Sequence, residues 1–397
     1  MDKLAINGGK PVRDTPIGYG RQYVDEADIA KVTDILRSPF LTTGPEISKL
    51  EEKLCNITGA KYAVAVSNGT AALHIACLAV DIKKVDEVIT TPMTFAASAN
   101  CALYCGAKPV FADINPETYN ISPSSIREKI TPHTKAVVAV DFTGQAVELD
   151  EIKQICTENN LILIEDAAHS IGTKYKGKPV GSIADMTCFS FHPVKTVTAG
   201  EGGAVLTNSK ELYEKLLLFR SHAITRDASQ MVNPTGEKWY YEQIDLGYNY
   251  RMTDFQAALL SSQLDKLDMF SRRRKEIVNQ YNRVFSQISE VTVQKEIPES
   301  DTTRHLYILR FNLDKLKVSR REIFDALWAE NIHCNVHYIP VYYHPYYQSL
   351  GYVKGLCPNA EALYEEIVTL PLYYSMTDDD VRDVIEAVKK IISNYRR

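Results

Sequence analysis

Long apolar runs are missing from this chain. No stretch approaches the ~20 residues needed to cross a bilayer. The opening "MDKLAINGGKPVRDTP" has no apolar h-region of the kind a secretory signal carries. Neither a membrane span nor export is therefore expected, and the protein reads as cytoplasmic. A cationic surplus is missing too. The 45 Lys and Arg stand against 50 Asp and Glu, a formal net charge of −5, which provides no field to gather nucleic acid or an anionic membrane. The eight cysteines lack the tight spacing of a disulfide framework and read as free thiols in a reducing compartment. Cys101 and Cys105 stand four apart on an expected helix, where small core residues are a better reading than half a metal site, and no metal is expected. The chain contains neither G-x-x-x-x-G-K-[ST] nor G-x-G-x-x-G, so Walker-type nucleotide hydrolysis and dinucleotide binding lose their usual support. Internal repeats and low-complexity linkers are absent as well.

What is present is alternation. At 397 residues the chain exceeds one ordinary core. Between about 60 and 210 the apolar runs "YAVAVS", "EVITTP", "KPVFADI", "KAVVAVDF", "LILIEDA", "MTCFSF" and "GGAVLTN" alternate with helix-like segments. Runs apolar on both faces predict an α/β fold with a mostly parallel, seven-stranded sheet covered by helices on both sides. From about 254 to 287, Leu260, Leu264, Leu267, Phe270, Ile277, Tyr281 and Val284 recur at helical spacing, which predicts one long amphipathic helix of ~50 Å. Beyond it, "RHLYILRFNL" and "HCNVHYIPV" read as strands. "SRREIFDALWAENI" reads as a helix opened by a Ser319/Glu322 capping box, and a last helix runs from "TDDD" to "NYRR". The expected organisation is an arm over 1–20, a large domain over 21–253, and a long helix with a smaller α+β domain over 254–397.

Sheets of this kind place ligands at the carboxyl ends of their strands, and three such ends are unusual. "VAVSNGTAALHIA" puts Gly69 and Thr70 at a strand-to-helix turn. Gly69 permits a tight turn, and the first helical N–H groups with the Thr70 hydroxyl suit a phosphate; ordinary helix capping is the alternative. "LILIEDAAHS" runs into Glu165, Asp166 and His169, where a poorly hydrated carboxylate needs a cation or donor; a salt bridge or cap would also serve. "FSFHPVK" adds Ser190, His192 and Lys195. From Thr187 to Gly200, Lys195 is the only Lys, Arg, Asp or Glu. A snorkelling lysine is the ordinary explanation for such a residue taken alone.

Taken together, these pieces match the needs of pyridoxal 5′-phosphate. Its phosphate asks for a helix N-terminus and hydroxyls, its ring nitrogen for a carboxylate, and its aldehyde for an amine whose pKa desolvation has lowered. Phe95, in "TTPMTFAASAN", offers a flat face for the ring.

In that order, "SNGTAALHIA", "EDAAHS", "SFHPVK…GEGGAV" and "GYNYRMTDFQAAL" resemble the DegT/DnrJ/EryC1/StrS family of sugar aminotransferases over nearly the whole chain. The resemblance implies a fold type I pyridoxal phosphate enzyme working as a homodimer with shared active sites, and pyridoxamine phosphate as its intermediate form. It implies Lys195 as the Schiff-base lysine and proton shuttle, Asp166 as the partner of the ring nitrogen, and His169 beside the ring hydroxyl. Glutamine is commoner in the family at this last position, so His169 is a departure. Phe95 resembles the stacking aromatic, while Gly69, Thr70 and Ser190 resemble phosphate contacts. Asn249 resembles a phosphate contact supplied by the partner subunit.

"YGRQYVDEADI", "LTTGPEISKLEEKL" and "RSHAITRD" are similar to the branch that makes the 4-amino sugar of the pseudaminic acid pathway. That branch takes an amino group from L-glutamate to C4 of a UDP-linked 2-acetamido-4-keto-6-deoxy hexose. Another 3- or 4-keto nucleotide sugar, or the dehydration chemistry of some family members, stands as the alternative. The best-known dehydratase departure places histidine where Lys195 stands here. A ligand-binding regulator lacks any appended basic domain. His192 reads either as a substrate contact or as a buttress for the turn at Pro193. His333, His337 and His344 lie too far apart on a strand to chelate one ion. The resemblance brings His337 near the sugar nucleotide, and Tyr19 and Arg21 are placed similarly, although a surface salt bridge is the common fate of an arginine.

Overall fold

The structure is a computed structural model and describes residues 2–397. The seven apolar runs form the strands of one sheet: β1 (Tyr62–Val66), β2 (Glu87–Thr90), β3 (Lys108–Phe111), β4 (Thr134–Val140), β5 (Ile162–Asp166), β6 (Met186–Ser190) and β7 (Gly203–Thr207). Their spatial order is β1-β7-β6-β5-β4-β2-β3. Strand β7 runs antiparallel to both of its neighbours, and the other pairs are parallel. The apolar runs are continuous because both faces are buried. Ala63, Ala65, Val137, Ala139 and Leu163 point into one core, and Val64, Val66, Ala136, Val138 and Ile164 into the other. Leu50, Leu54, Ile152 and Ile155 cap the first face from the helices Pro45–Thr58 and Leu149–Glu158. The second is covered by Gly69–Ala79, Ala97–Tyr104 and Lys210–Arg220.

The C-terminal part contains a three-stranded antiparallel sheet with Tyr307–Phe311 between Val291–Val293 and Ile367–Leu370. Its helices Arg320–Ala329 and Asp378–Tyr395 both open on a capping box, from Ser319 and Thr377. Leu4 and Ile17 from the N-terminal arm pack into the core of this part. Ala257, Leu260, Leu264, Leu267 and Phe270 pack into the core beneath the large sheet.

Two expected elements differ. The long helix is two, Asp254–Leu264 and Leu267–Phe285. The apolar stripe crosses the break unbroken because Leu264 and Leu267 lie on either side of it. At the break, Lys266 pairs with Asp25 at 2.6 Å and Asp28 at 2.8 Å, and Asp265 takes Lys53 at 2.6 Å. Of "HCNVHYIPV" only the first residue, His333, lies in a strand, Ile332–His333, whose parallel partner is the two-residue Ile17–Gly18. Thereafter the Asn335 side chain accepts from the Val336 amide at 2.8 Å, and Pro340 has no amide to offer. Strand geometry therefore does not govern the spacing of His333, His337 and His344. His333 stacks on Trp328 with ring centroids 4.1 Å apart, and His337 Nδ1 bonds the Thr369 hydroxyl at 2.9 Å.

Candidate active site

A cavity of about 1010 Å³ opens over the carboxyl ends of β4, β5 and β6. Its floor is Asp166, the last residue of β5 and only 4% exposed. The Ser98 hydroxyl donates to its Oδ2 at 2.6 Å and the Ala168 amide to its Oδ1 at 3.2 Å. Burial pushes the Asp166 carboxyl above its ordinary range, against the pull of these donors and of Lys195. Ser98 also bonds the Thr94 hydroxyl at 2.7 Å, so the carboxylate hangs from a fixed chain of hydroxyls.

Lys195 lies in the excursion between β6 and β7. Backbone bonds pin that excursion: Phe191 N to Gly202 O at 2.8 Å, Ala199 N to Phe191 O at 3.0 Å, and Lys195 N to His192 O at 2.9 Å. The side chain is half-buried and faces the same cavity as Asp166. Burial lowers its amine from 10.5 to about 8, with Asp166 pulling the other way. A cavity-facing amine that titrates near neutrality can act as a nucleophile or carry a proton.

The helix Gly69–Ala79 aims its N-terminus at this cavity. Asn68 caps it by accepting from the Ala71 amide at 2.8 Å, which leaves the first-turn amides of Gly69 and Thr70 for a ligand. The sequence argued for Gly69 as a tight turn; the structure gives a different reason. Gly69 is not among the residues with positive φ. A Cβ there would lie 2.8 Å from Cβ and 3.2 Å from Oγ of Ser190. Glycine lets the helix end and the Ser190 hydroxyl close into one cradle.

His169 follows β5 and sits in the wall of the cavity. Its Nε2 meets the Tyr338 hydroxyl at 3.2 Å, while its buried Nδ1 has no partner. Burial holds the ring well below the usual histidine range, and the Lys195 charge adds to that. Phe95 stands at the rim, 63% exposed, its ring centroid 6.3 Å from that of Tyr338. Tyr19, His192 and His337 line the cavity too. His192 is exposed, with Nε2 4.0 Å from a Glu201 carboxylate oxygen.

Two expected residues are not brought to this cavity. Arg21 lines a separate, much smaller space behind Lys195, beside Arg274. Asn249 is exposed and bridges Ser221. Among the wall residues that went unforeseen are Ser98, His305 and Tyr338. Ser98 carried a faint signal as the hydroxyl one turn past Phe95 in an alanine-rich helix start. The other two come from the distant C-terminal part.

A hydroxyl-braced acid, a lowered amine and a helix-end cradle that a single Cβ would fill meet in one space. They fit the three polar ends of pyridoxal phosphate.

Comparison with known proteins points the same way. The family described as DegT/DnrJ/EryC1/StrS aminotransferase matches residues 22–389. The chain is 42% identical to the spore coat polysaccharide biosynthesis protein SpsC of Bacillus subtilis, over 94% of this chain and 96% of that one. It is 37% identical to a UDP-4-amino-4,6-dideoxy-N-acetyl-beta-L-altrosamine transaminase of Campylobacter jejuni, over 96% and 99%. Among solved structures, Helicobacter pylori PseC, an aminotransferase involved in the biosynthesis of pseudoaminic acid, superposes with a TM-score of 0.88 at 31% identity, over 96% and 100%. Structures of this fold include a pyridoxal phosphate form and a pyridoxamine phosphate form.

Proposed function

Because the chain belongs to the DegT/DnrJ/EryC1/StrS aminotransferase family and is a pyridoxal phosphate-dependent sugar aminotransferase, we propose a particular reaction for it. It moves an amino group from L-glutamate to C4 of a UDP-2-acetamido-4-keto-6-deoxy hexose. The product is UDP-4-amino-4,6-dideoxy-N-acetyl-β-L-altrosamine, a precursor of pseudaminic acid and of cell-surface glycans. The names of the Campylobacter relatives support this substrate.

The observation that carries the reading is the shared cavity of Asp166 and Lys195 below the cradle of Gly69, Thr70 and Ser190. When bound, the coenzyme supplies an electron sink for a carbanion next to its imine carbon. Asp166 would face the ring nitrogen and hold a proton on it, and Lys195 would hold the aldehyde. Free of that bond, the Lys195 amine would take the proton from the donor carbon, and it would serve the keto sugar in the opposite sense. A pKa near 8 suits both directions at neutral pH. The Gly69 and Thr70 amides with the Thr70 and Ser190 hydroxyls would hold the phosphate, His169 would stand beside the ring hydroxyl, and Phe95 would cover the ring. Tyr19, His192 and His337 border the space left for the sugar.

The working form is a cytoplasmic homodimer. Asn249 reaches the phosphate of the second subunit, and the exposed apolar side chains of Val232, Trp239 and Leu246 suit burial against another copy. Among the described residues no helix is long and apolar enough to cross a membrane.

The test mixes holoenzyme and L-glutamate with UDP- and dTDP-linked 4-keto and 3-keto sugars and identifies products by mass spectrometry and NMR. A glutamate-dependent amine at C4 of the UDP-linked acetamido sugar is expected, and none with Lys195→Ala. Amination at C3, preference for a dTDP sugar, or turnover by Lys195→Ala would count against the reading.

A further inference from the structure

Behind the cavity, on the opposite face of the sheet, lie two acids that the chemistry above does not use. Side chains alternate along a strand, so Glu165 points away from Asp166, toward the core that holds Ala139 and Leu163. Its register sets it between Ala139 of β4 and Thr187 of β6. Asp141, the residue after β4, comes to the same place, and its amide donates to the Asp166 carbonyl at 3.1 Å. Glu165 and Asp141 are both fully buried, and their carboxyls are hydrogen-bonded to each other.

The donors around this pair assign its proton. Asp141 Oδ1 accepts from the Val147 amide at 3.0 Å, and Oδ2 from the Ser170 hydroxyl at 2.6 Å. Glu165 Oε2 accepts from the Thr187 hydroxyl at 2.8 Å. The fourth oxygen, Glu165 Oε1, is buried and receives no donor. Ionised carboxyls only accept, so two of them bond to each other only when one carries a proton. The oxygen without a donor is the place for it, because an O–H there completes the pair and gives Asp141 a third donor. Electrostatics run the same way. Burial, with the Asp141 charge adding, lifts Glu165 well above its ordinary range. Burial also brings Asp141 to about 7, with the Asp166 charge adding and Ser170 and Glu165 pulling it down. Cys188, which faces the pair from β6, is itself kept neutral by burial.

We propose that Glu165 is a neutral carboxylic acid donating to Asp141, and that the charge so supported on Asp141 acts through Asp166 to strengthen its hold on the ring-nitrogen proton of the coenzyme. The first part stands on the protein alone, and the second rests on the aminotransferase reading above. A negative charge near a carboxylate makes it a stronger base. The repulsion is mutual: the Asp166 charge raises Asp141, so the Asp141 charge raises Asp166. A cationic ring resting on Asp166 relieves that repulsion and favours the ionised form of Asp141. Neither Glu165 nor Asp141 lines the cavity, so both are positioning residues.

Infrared difference spectroscopy of the coenzyme-free protein at neutral pH tests the first part. The wild type should show the carbonyl stretch of a buried protonated carboxyl, and Glu165→Gln should lose it. A spectrum in that region unchanged by Glu165→Gln refutes the neutral acid. Spectroscopic titration with pyridoxal phosphate tests the second part. Asp141→Asn should raise the dissociation constant at least about fivefold and shift the bound absorbance maximum. Glu165→Leu, which strips Asp141 of a donor, should act in the same direction. Glu165→Gln, whose amide donates as the acid does, should stay within about twofold of the wild type. Unchanged affinity and spectrum in Asp141→Asn, or a Gln variant as impaired as the Leu variant, refutes the action through Asp166. Should Asp141→Asn fail to fold, Ser170→Ala removes one donor from Asp141 and carries the same expectation, and wild-type affinity there refutes it. If pyridoxal phosphate does not bind the wild type, the aminotransferase reading falls and the second part with it, while the infrared result still decides the first.

Discussion

Lys195 offers the sharpest quantitative test of the site, because its burial makes a numerical claim about reactivity. A lysine amine attacks only when neutral. For an amine that titrates at 10.5, roughly 3 in 10,000 molecules are neutral at pH 7. With burial bringing Lys195 to about 8, roughly one in ten is neutral, an advantage of about 300-fold. The assay is competitive labelling of coenzyme-free protein with a small acylating reagent in short pulses from pH 6 to 11, read by mass spectrometry of the peptide containing residue 195. Labelling should climb about tenfold per pH unit and level off just above pH 8, and adding coenzyme should abolish it. The sign of the neighbour's effect is fixed too. Burial lowers the value and the Asp166 charge raises it, so Asp166→Asn must move the midpoint below that of the wild type. A midpoint at 10 or higher, or an upward move in Asp166→Asn, would refute the claim that this amine is desolvated beside a carboxylate.

Two further substitutions probe the frame around it. Gly69→Ala places a methyl 2.8 Å from the Ser190 Cβ, an overpacking worth about 1–3 kcal/mol. Because the strain falls on the cradle, the coenzyme dissociation constant should rise at least about tenfold by spectroscopic titration; unchanged affinity would mean that helix end and Ser190 do not act together. Ser98→Ala removes the 2.6 Å bond to Asp166 at a cost of about 1.5–3 kcal/mol for a hydrogen bond to a charged group. It should weaken coenzyme binding and shift the bound absorbance maximum, and a wild-type spectrum with wild-type affinity would show the hydroxyl to be incidental.

The parts of this molecule that could be read from its sequence are those whose cause is local. A strand buried on both faces must be apolar throughout, so the runs that became β1 to β7 announced themselves, and a carboxylate ending such a run, as Asp166 does, was conspicuous for the same reason. Lys195 stood out because its neighbourhood is otherwise uncharged. What escaped has causes that act across the chain. Nothing near Leu264 announces a break; the two polar residues at it, Asp265 and Lys266, are answered by the distant Lys53, Asp25 and Asp28. Ile332–His333 is short because its partner strand near the N-terminus is short.

Gly69 shows the distinction within a single residue. Its importance was legible, since a glycine at a strand-to-helix junction always invites a reason, but the reason inferred was the local one. Backbone conformation at Gly69 is open to other residues; only the approach of Ser190, from a strand more than a hundred residues later, excludes a side chain. His305 and Tyr338 follow the same rule more strongly. Neither lies in a motif, and each acquires a role only when the C-terminal part folds against the ends of β4 and β5 and sets a His305 ring against His169. The half of the site proposed to bind coenzyme is therefore encoded in short stretches of one sheet, and the wall that His305 and Tyr338 add is made by packing between distant segments. On the proposed assignment, the wall that His305 and Tyr338 form can vary while Asp166 and Lys195 stay fixed, which is the arrangement expected of a family that applies one chemistry to many sugars.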